Sequence, residues 1–243
     1  MNENAKQKYR YFLKDSIRKS IDFRNTDQSR GLPPPPLQKP VLKGQETIDL
    51  VIKKDFLEDY SIPISQAIEQ RQSVRSFREE PLTLKELSFL LWATQGVRRI
   101  MGGVMTLRTV PSAGSRHSFE TYLFIRKVEG LREGIYRYLP LEHQLAFEFT
   151  EKHLGEKISQ ACFGQRFVSE SAATFFWSTI PSRMEWRYDL AAHRVIALDA
   201  GHVCQNLYLA CEAINAGTCA IGAYDQEFLD SLLRLDGTEE FVI

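Results

Sequence analysis

Three groups of residues have types and spacings suited to chemistry. The first is Arg71-Gln72-Ser73-Val74-Arg75. On an extended segment alternate side chains project to one side, so Arg71, Ser73 and Arg75 can converge on one anion. The planar guanidinium fork suits a phosphate in particular. The same triplet also reads as a solvated charged stretch. The second group is Pro111-Ser112-Ala113-Gly114-Ser115-Arg116-His117. Its small side chains let a planar ring approach the backbone and its amides, with Arg116 and His117 adding polar or cationic contacts. Its other reading is a plain turn entering a strand. The third is Glu185-Trp186-Arg187-Tyr188, with Asp199, Gly201 and His202 downstream. A tyrosine beside a cation suits proton donation, and it equally suits a half-buried aromatic with its hydroxyl satisfied. His202 reads as a packed, hydrogen-bonded side chain. His143, His153 and His193 lie in polar contexts and are assigned no role.

Whole-chain properties narrow the chemistry further. Among 243 residues, 31 basic side chains balance 31 acidic ones, and nucleic-acid binding usually demands a basic surplus. The glycines form no GxG, GxxxxGK[ST] or GxSxG pattern, and HExxH is absent too, which disfavours dinucleotide folds, P-loops, serine hydrolases and zincins. Cys162, Cys204, Cys211 and Cys219 form no CxxC pair, and Cys204 and Cys211, seven residues apart, read as small apolar fillers on one helix face. No apolar run approaches the ~20 residues that span a bilayer, and Met1–Arg10 is polar. The expectation is a cytoplasmic protein with reduced thiols, bound to neither membrane nor nucleic acid.

The elements that must position these groups follow from periodicity. Tyr9, Leu13, Ile17 and Ile21 predict a short amphipathic helix, followed by a polar stretch broken by Pro33–Pro36. Four prolines in a row favour an extended polyproline arm, laid over this chain or a partner subunit. The expected division is 1–60 as helix and arm and 61–243 as the main domain. Ser65–Gln72 reads as helix. Thr83 and Glu86 form a capping box before a helix with Leu84, Leu87, Leu90 and Leu91 on one face, running to Gln95-Gly96. A loop with Gly102, Gly103, Pro111 and Gly114 is expected next. Thr121–Ile125, Ile135–Tyr138, Leu145–Phe149, Ala173–Ile180 and Thr218–Tyr224 read as strands. Glu156–Ala161, Ala197–Ala216 and Gln226–Leu235 read as helices, with Gly217 as a C-terminal cap. The mixture lacks regular βαβ repetition, which favours α+β.

In this order the groups resemble the FMN-dependent nitroreductase superfamily, in the branch of the peptide azoline dehydrogenases. The matching stretches are RQSVRSF, LTLKELSFLLWATQGV, PSAGSRHSFETYLFI, EWRY, LDAGHVCQNLYLACEA and CAIGAYD, which together cover Ile64 to the end. The resemblance implies a central, mostly antiparallel sheet flanked by helices, built as an intertwined homodimer with FMN at the subunit interface. By that likeness Arg71, Gln72, Ser73 and Arg75 hold the phosphate, ribityl chain and pyrimidine edge. Pro111, Ser112, Ala113 and Gly114 line the ring from the other subunit, with Ser115, Arg116 and His117 near it. Gly222 and Ala223 approach the flavin, and Gln95 is a lesser candidate. NADH or NADPH would supply hydride to a small planar acceptor such as a nitroaromatic or quinone, with Tyr188 and Arg187 as catalytic candidates. The alternatives are a dehydrogenase or oxidase of a heterocycle or peptide azoline, and a non-catalytic flavin- or partner-binding dimer. Azoline-oxidising members carry Lys-Tyr where this chain has Arg187-Tyr188, and an arginine is a poor general base. Relatives normally continue past Phe241-Val242-Ile243 into a last strand with a basic residue for the FMN phosphate.

Overall fold

The computed structural model describes residues 3–243. Its centre is a strand with no solvent-facing side. Every residue of β4 (Phe119–Ile125) is buried, and it pairs antiparallel with β5 (Gly134–Leu139) and β7 (Ala173–Thr179). Thr121 thus faces Tyr138 on one side and Trp177 on the other. Pairing continues outward through β6 (Gln144–Phe149) to β1 (Thr47–Asp49), and on the other side to β8 (Phe241–Val242). The six-stranded sheet has the order β1-β6-β5-β4-β7-β8 and is antiparallel throughout. The expected strands at 121–125, 135–138, 145–149 and 173–180 lie within or against these elements.

Alternation along β4 divides the core. Tyr122 and Phe124 pack with Leu154 and Ile158 of α4 (Leu154–Ala161) and Leu229 of α8 (Gln226–Leu232). Leu123 and Ile125 point the other way, onto Leu87 and Leu91 of α3 (Leu84–Gln95). The sequence places α3 by its first turn: the Thr83 hydroxyl accepts from the Glu86 amide while the Glu86 carboxylate accepts from Thr83, satisfying amides that have no intrahelical partner.

The element that positions the site is α7 (Ala192–Ala213). Its 22 residues span about 33 Å at 1.5 Å per residue. Near its start, Ala192, Ile196 and Val203 pack with Phe119 and with Met184 of α6 (Ser182–Tyr188). Near its end, Leu207, Ala210 and Cys211 pack with Phe89 and Leu90 of α3.

Five expectations are corrected. The first helix, α1 (Glu3–Phe12), gives way to a tighter 3-10 turn at Asp15–Ser20 instead of continuing to Ile21. The stretch expected as loop contains a hairpin, β2 (Val97–Met101) and β3 (Met105–Arg108), turning on Gly102 and Gly103, both at positive φ. α7 begins five residues before Ala197 and ends three before Ala216. Gly217 is not its cap, because Asn215 at φ 54° takes the left-handed position. A Cβ on Gly217 would lie 2.6 Å from Val74 Cγ2, so glycine there permits a close approach of chains. Thr218–Tyr224 forms no strand and makes a single parallel bridge, Ser73 to Thr218. α2 (Ile64–Gln70) and α5 (Phe167–Glu170) complete the helices named here.

The proline-rich segment lies on the body of its own chain. The Gln28 amide donates to Trp186 O and Trp186 Nε1 donates to Leu32 O. Past the prolines, buried Arg108 donates to Leu37 O, and Arg137 donates to the carbonyls of Lys39 and Pro40. Lys39 Nζ reaches Glu240 and the Tyr122 hydroxyl. Extended proline backbone with free carbonyls suits such tethering, since it has no internal hydrogen bonds to give up.

Candidate functional site

The first group sits where α2 ends. Arg71 closes that helix in extended conformation, and Ser73 and Val74 run beside Thr218, whose carbonyl accepts from the Val74 amide at 3.0 Å. Ser73 Oγ lies 3.0 Å from the Tyr208 hydroxyl, and that hydroxyl accepts from the Ala220 amide at 2.8 Å. The Arg71 guanidinium lies over the Tyr208 ring at 5.3 Å, and Arg75 lies 6.0 Å from the Phe167 ring centre. Neither arginine forms an ion pair among the described residues, so both charges are available to an anion. Tyr208 thus anchors the segment, though no motif singled it out. The signal that could have found it is its place one turn after Cys204 on the face of α7 that meets 218–220.

Beside this group opens a cleft of about 910 Å³. Gln72, Val74, Phe77, Phe175, Trp177, Gly201 and Cys204 are among its lining, with Cys219, Ala220 and Ile221 along one side. Gly222 and Ala223 are exposed at this segment, and a Cβ on Gly222 would meet nothing within 4 Å. Cys204 is therefore not a core filler. Burial and the neighbouring Cys219 push its thiol pKa up. Cys211 is buried, and all four cysteines are free thiols.

The second and third groups meet each other, away from the first. Ser112 to His117 turn sharply, with Gly114, Ser115 and His117 all at positive φ. A Cβ on Gly114 would fall 2.7 Å from Arg187 Cδ and 2.8 Å from the Tyr188 hydroxyl. The Asp199 carboxylate of α7 accepts from the Ala113 amide at 3.2 Å and bonds Ser112, and burial raises its pKa. The Ser112 hydroxyl accepts from the His117 amide. Arg116 stacks on Trp186 at 4.7 Å, and Arg187 donates to Gln28 Oε1 at 3.0 Å. Pro111 is exposed at the start of the turn. His117 is 3% exposed, and desolvation together with Arg108 and Arg116 pushes its pKa down to about 2. Gln95 is buried and accepts from Arg108, which makes it part of the support of this turn.

His202 departs from expectation: it is half-exposed, 3.8 Å from Asp199, because its position on α7 faces outward. His143, by contrast, is partly buried between Tyr138 and Val51 O, as a structural hydrogen-bonding residue.

The two halves are separated by helical phase. Asp199 and Tyr208 are nine residues apart, which at about 100° per residue puts them half a turn out of register. The contacts agree, since Asp199 holds Ala113 while Tyr208 holds Ser73 and Ala220.

The sequence profile of the Nitroreductase family matches residues 68–243, nearly all of this architecture. The chain belongs to the nitroreductase family. It is 33% identical over 172 residues to a protein of Methanocaldococcus jannaschii that bears a nitroreductase name, covering 70% of this chain and 84% of that one. It is 26% identical over 154 residues to the trifolitoxin-processing protein TfxB of Rhizobium leguminosarum bv. trifolii, covering 62% of this chain and 41% of that one. The expected likeness to the branch that processes peptides therefore has a counterpart. Among solved structures, one of a nitroreductase from Desulfovibrio desulfuricans in complex with FMN superposes with a TM-score of 0.52 at 16% identity, covering 75% of this chain and 82% of that one. No described helix is long and apolar enough to cross a membrane, and the family is one of oxidoreductases.

Proposed function

We propose that this nitroreductase-family chain is an FMN-dependent oxidoreductase that takes hydride from NADH or NADPH and passes it to a small planar acceptor such as a nitroaromatic or quinone. The observation that carries the reading is the pair of unpaired guanidiniums, Arg71 and Arg75, flanking Ser73 on the segment whose alternate residues Gln72 and Val74 line a cleft of about 910 Å³. Charge and shape fit a flavin phosphate, and the exposed Gly222 and Ala223 leave room for a planar ring. FMN, when bound, supplies the two-electron chemistry, and the residues supply binding, orientation and charge. Arg71 and Arg75 bind the phosphate end. The Ser112–Gly114 turn presents backbone to a ring face, and Tyr188 holds a proton at its hydroxyl beside Gly114.

Because the two halves point to opposite faces of α7, one chain does not close a site around a ring. In this reading a homodimer completes it, the turn of one subunit facing the Arg71 segment of the other. In this reading 1–60 is the helix and proline-rich arm, which also lends β1 to the sheet, 61–243 is the FMN-binding domain, and the protein works in the cytoplasm.

A second reading, oxidation of a heterocycle in a peptide, is favoured by the likeness to the trifolitoxin-processing protein. It needs a proton acceptor at position 187, and an arginine bonded to Gln28 stays charged. Tyr188→Phe separates the two: peptide oxidation should collapse while quinone reduction persists.

The first experiment is the visible spectrum of the purified protein, followed by anaerobic NADPH or NADH. A flavin spectrum that bleaches supports the reductase. A flavin spectrum that does not bleach moves the reading to the oxidase or to a binding dimer. A protein colourless even with added FMN refutes it.

A further inference from the structure

Four arginines crowd the base of the Ser112–His117 turn, and one of them has an ion-pair partner among the described residues. Arg183 is paired with Glu120. Arg108, Arg116 and Arg187 form no ion pair among the described residues. Arg108 is 3% exposed and bonds only neutral acceptors, Thr106, Gln95 and Leu37 O. Arg116 is 6% exposed, its Nε has no partner, and one face rests on Trp186. Arg187 bonds the amide oxygen of Gln28. His117 does not relieve the surplus, because its buried Nε2 is also without a partner.

Burying guanidinium charge without an opposing charge is costly, and the cost grows when the charges repel one another. Burial lowers the Arg116 pKa, with Arg187 and Arg183 adding to the effect, and burial lowers Arg108 to about 10, with Arg183 adding to it and Glu120 opposing it. The nearby Asp199 carboxylate is already engaged by Ala113 and Ser112, and Glu120 by Arg183, Arg137 and the Lys39 amide. The arrangement is that of a site short of one anion.

The place for that anion has an open side. Gly114, Ser115, Arg187 and Tyr188 are only half-buried, so Arg187 can be reached from outside, whereas Arg116 is buried. Gln28 Oε1, a neutral acceptor from the arm, takes the place on Arg187 that a charged oxygen would fill more strongly. We propose that Arg116 and Arg187 form a subsite for the carboxylate of a planar organic acid, which enters by displacing the Gln28 side chain. A carboxylate fits better than a dianion because Asp199 stands on the adjacent amide, and a flat two-oxygen group matches a guanidinium already fixed against Trp186. Joined to the reading above, on which this step rests, the subsite makes the acceptor an aromatic carboxylate with its charge on the arginines.

The test begins with binding alone. Benzoate and its neutral counterpart benzamide are titrated calorimetrically into the purified full chain, and into Arg187→Gln, Arg116→Gln and Arg116→Lys. Benzoate is expected to bind at least tenfold more tightly than benzamide. That preference should fall to parity in Arg187→Gln and Arg116→Gln and survive in part in Arg116→Lys, which keeps charge but loses the fork. If buried Arg116→Gln does not fold, half-buried Arg187→Gln decides. Equal affinity for the two probes, or a preference that survives Arg187→Gln unchanged, overturns the proposal. With flavin bound, 4-nitrobenzoate should have a lower KM than 4-nitrobenzamide at similar kcat, and Arg187→Gln should erase the KM difference. Benzoate preference in a colourless protein would keep the subsite and remove the flavin reading. A bleaching yellow protein indifferent to benzoate would do the reverse.

Discussion

The two halves of the candidate site are built on opposite physical terms. Around Arg71 and Arg75 the charges are half- or fully exposed, the neighbours are aromatic rings, and the intervening Gln72 and Val74 line a cleft. Around Ser112–His117 the charges are buried and the turn is held by Asp199, with the arm fastened across Trp186 and Arg187. The first region leaves its charges to be met by a ligand. The second has its geometry fixed before any ligand arrives, and pays in buried charge. Substitutions should therefore act on affinity in the first region and on stability in the second.

The largest effect expected is in the second region. Arg183→Ala removes the nearest cation from the Glu120 carboxylate, 2% exposed, leaving it the Lys39 amide and Arg137 at 3.7 Å, and should cost about 3 kcal/mol in denaturant unfolding. A loss below 1 kcal/mol would mean that the second region is not stabilised through this pair. Gly217→Ala probes the border of the first region. Its Cβ meets Val74 Cγ2 at 2.6 Å and Val74 Cβ at 2.7 Å, so the Arg71–Arg75 segment must shift. Overpacking of this kind costs about 1–3 kcal/mol. Val74→Ala in the same chain should restore much of the loss, and failure of that rescue would place the strain elsewhere.

A pH measurement sharpens the contrast further. The His117 pKa is depressed from 6.5 to about 2, so the unfolded chain binds a proton that the folded chain refuses. Stability from this group is complete above pH 6.5 and declines as the pH falls from there toward 2. Between pH 7 and 5.5 the decline amounts to about 1 kcal/mol. His117→Asn should flatten the slope by that amount, and an unchanged slope would show that the ring is protonated in the folded state. The smallest stability change belongs to Arg71→Gln: within about 0.5 kcal/mol, as for a surface substitution. Its FMN affinity should nevertheless drop at least tenfold, read by fluorescence titration. A large stability loss without loss of flavin affinity would invert the comparison.

The sequence made the local devices legible. The Thr83–Glu86 capping box and the alternating strands 135–138 and 145–149 carry their own signal, because the groups that satisfy them lie a few residues away. Helix-end chemistry misled: glycine at 217 suits a cap, but Asn215 takes the left-handed position and the crowding of Val74 shows what Gly217 is for. Thr218–Tyr224 has strand-like residues but bridges only Ser73, and pairing depends on what the fold places alongside. The hairpin at 97–108 was hidden because β2 is charged and exposed and the buried positions of β3 are Thr106 and Arg108, which leaves only the Gly102-Gly103 turn to announce it. In the site, Arg71, Ser73, Gly114 and Tyr188 stand in recognisable patterns. Tyr208 and Gln28 do not, since their partners lie 135 and 159 residues away.

α7 also constrains how this chain can change over evolutionary time. Between Asp199 and Tyr208 the outward-facing positions can change, while Val203 and Leu207 hold the core and the phase of the interval holds the anchors. A single inserted residue would swing one anchor by about 100° about the helix axis relative to the other and lengthen their separation by 1.5 Å. Homologues that keep both anchors should therefore vary in composition across this interval while conserving its length.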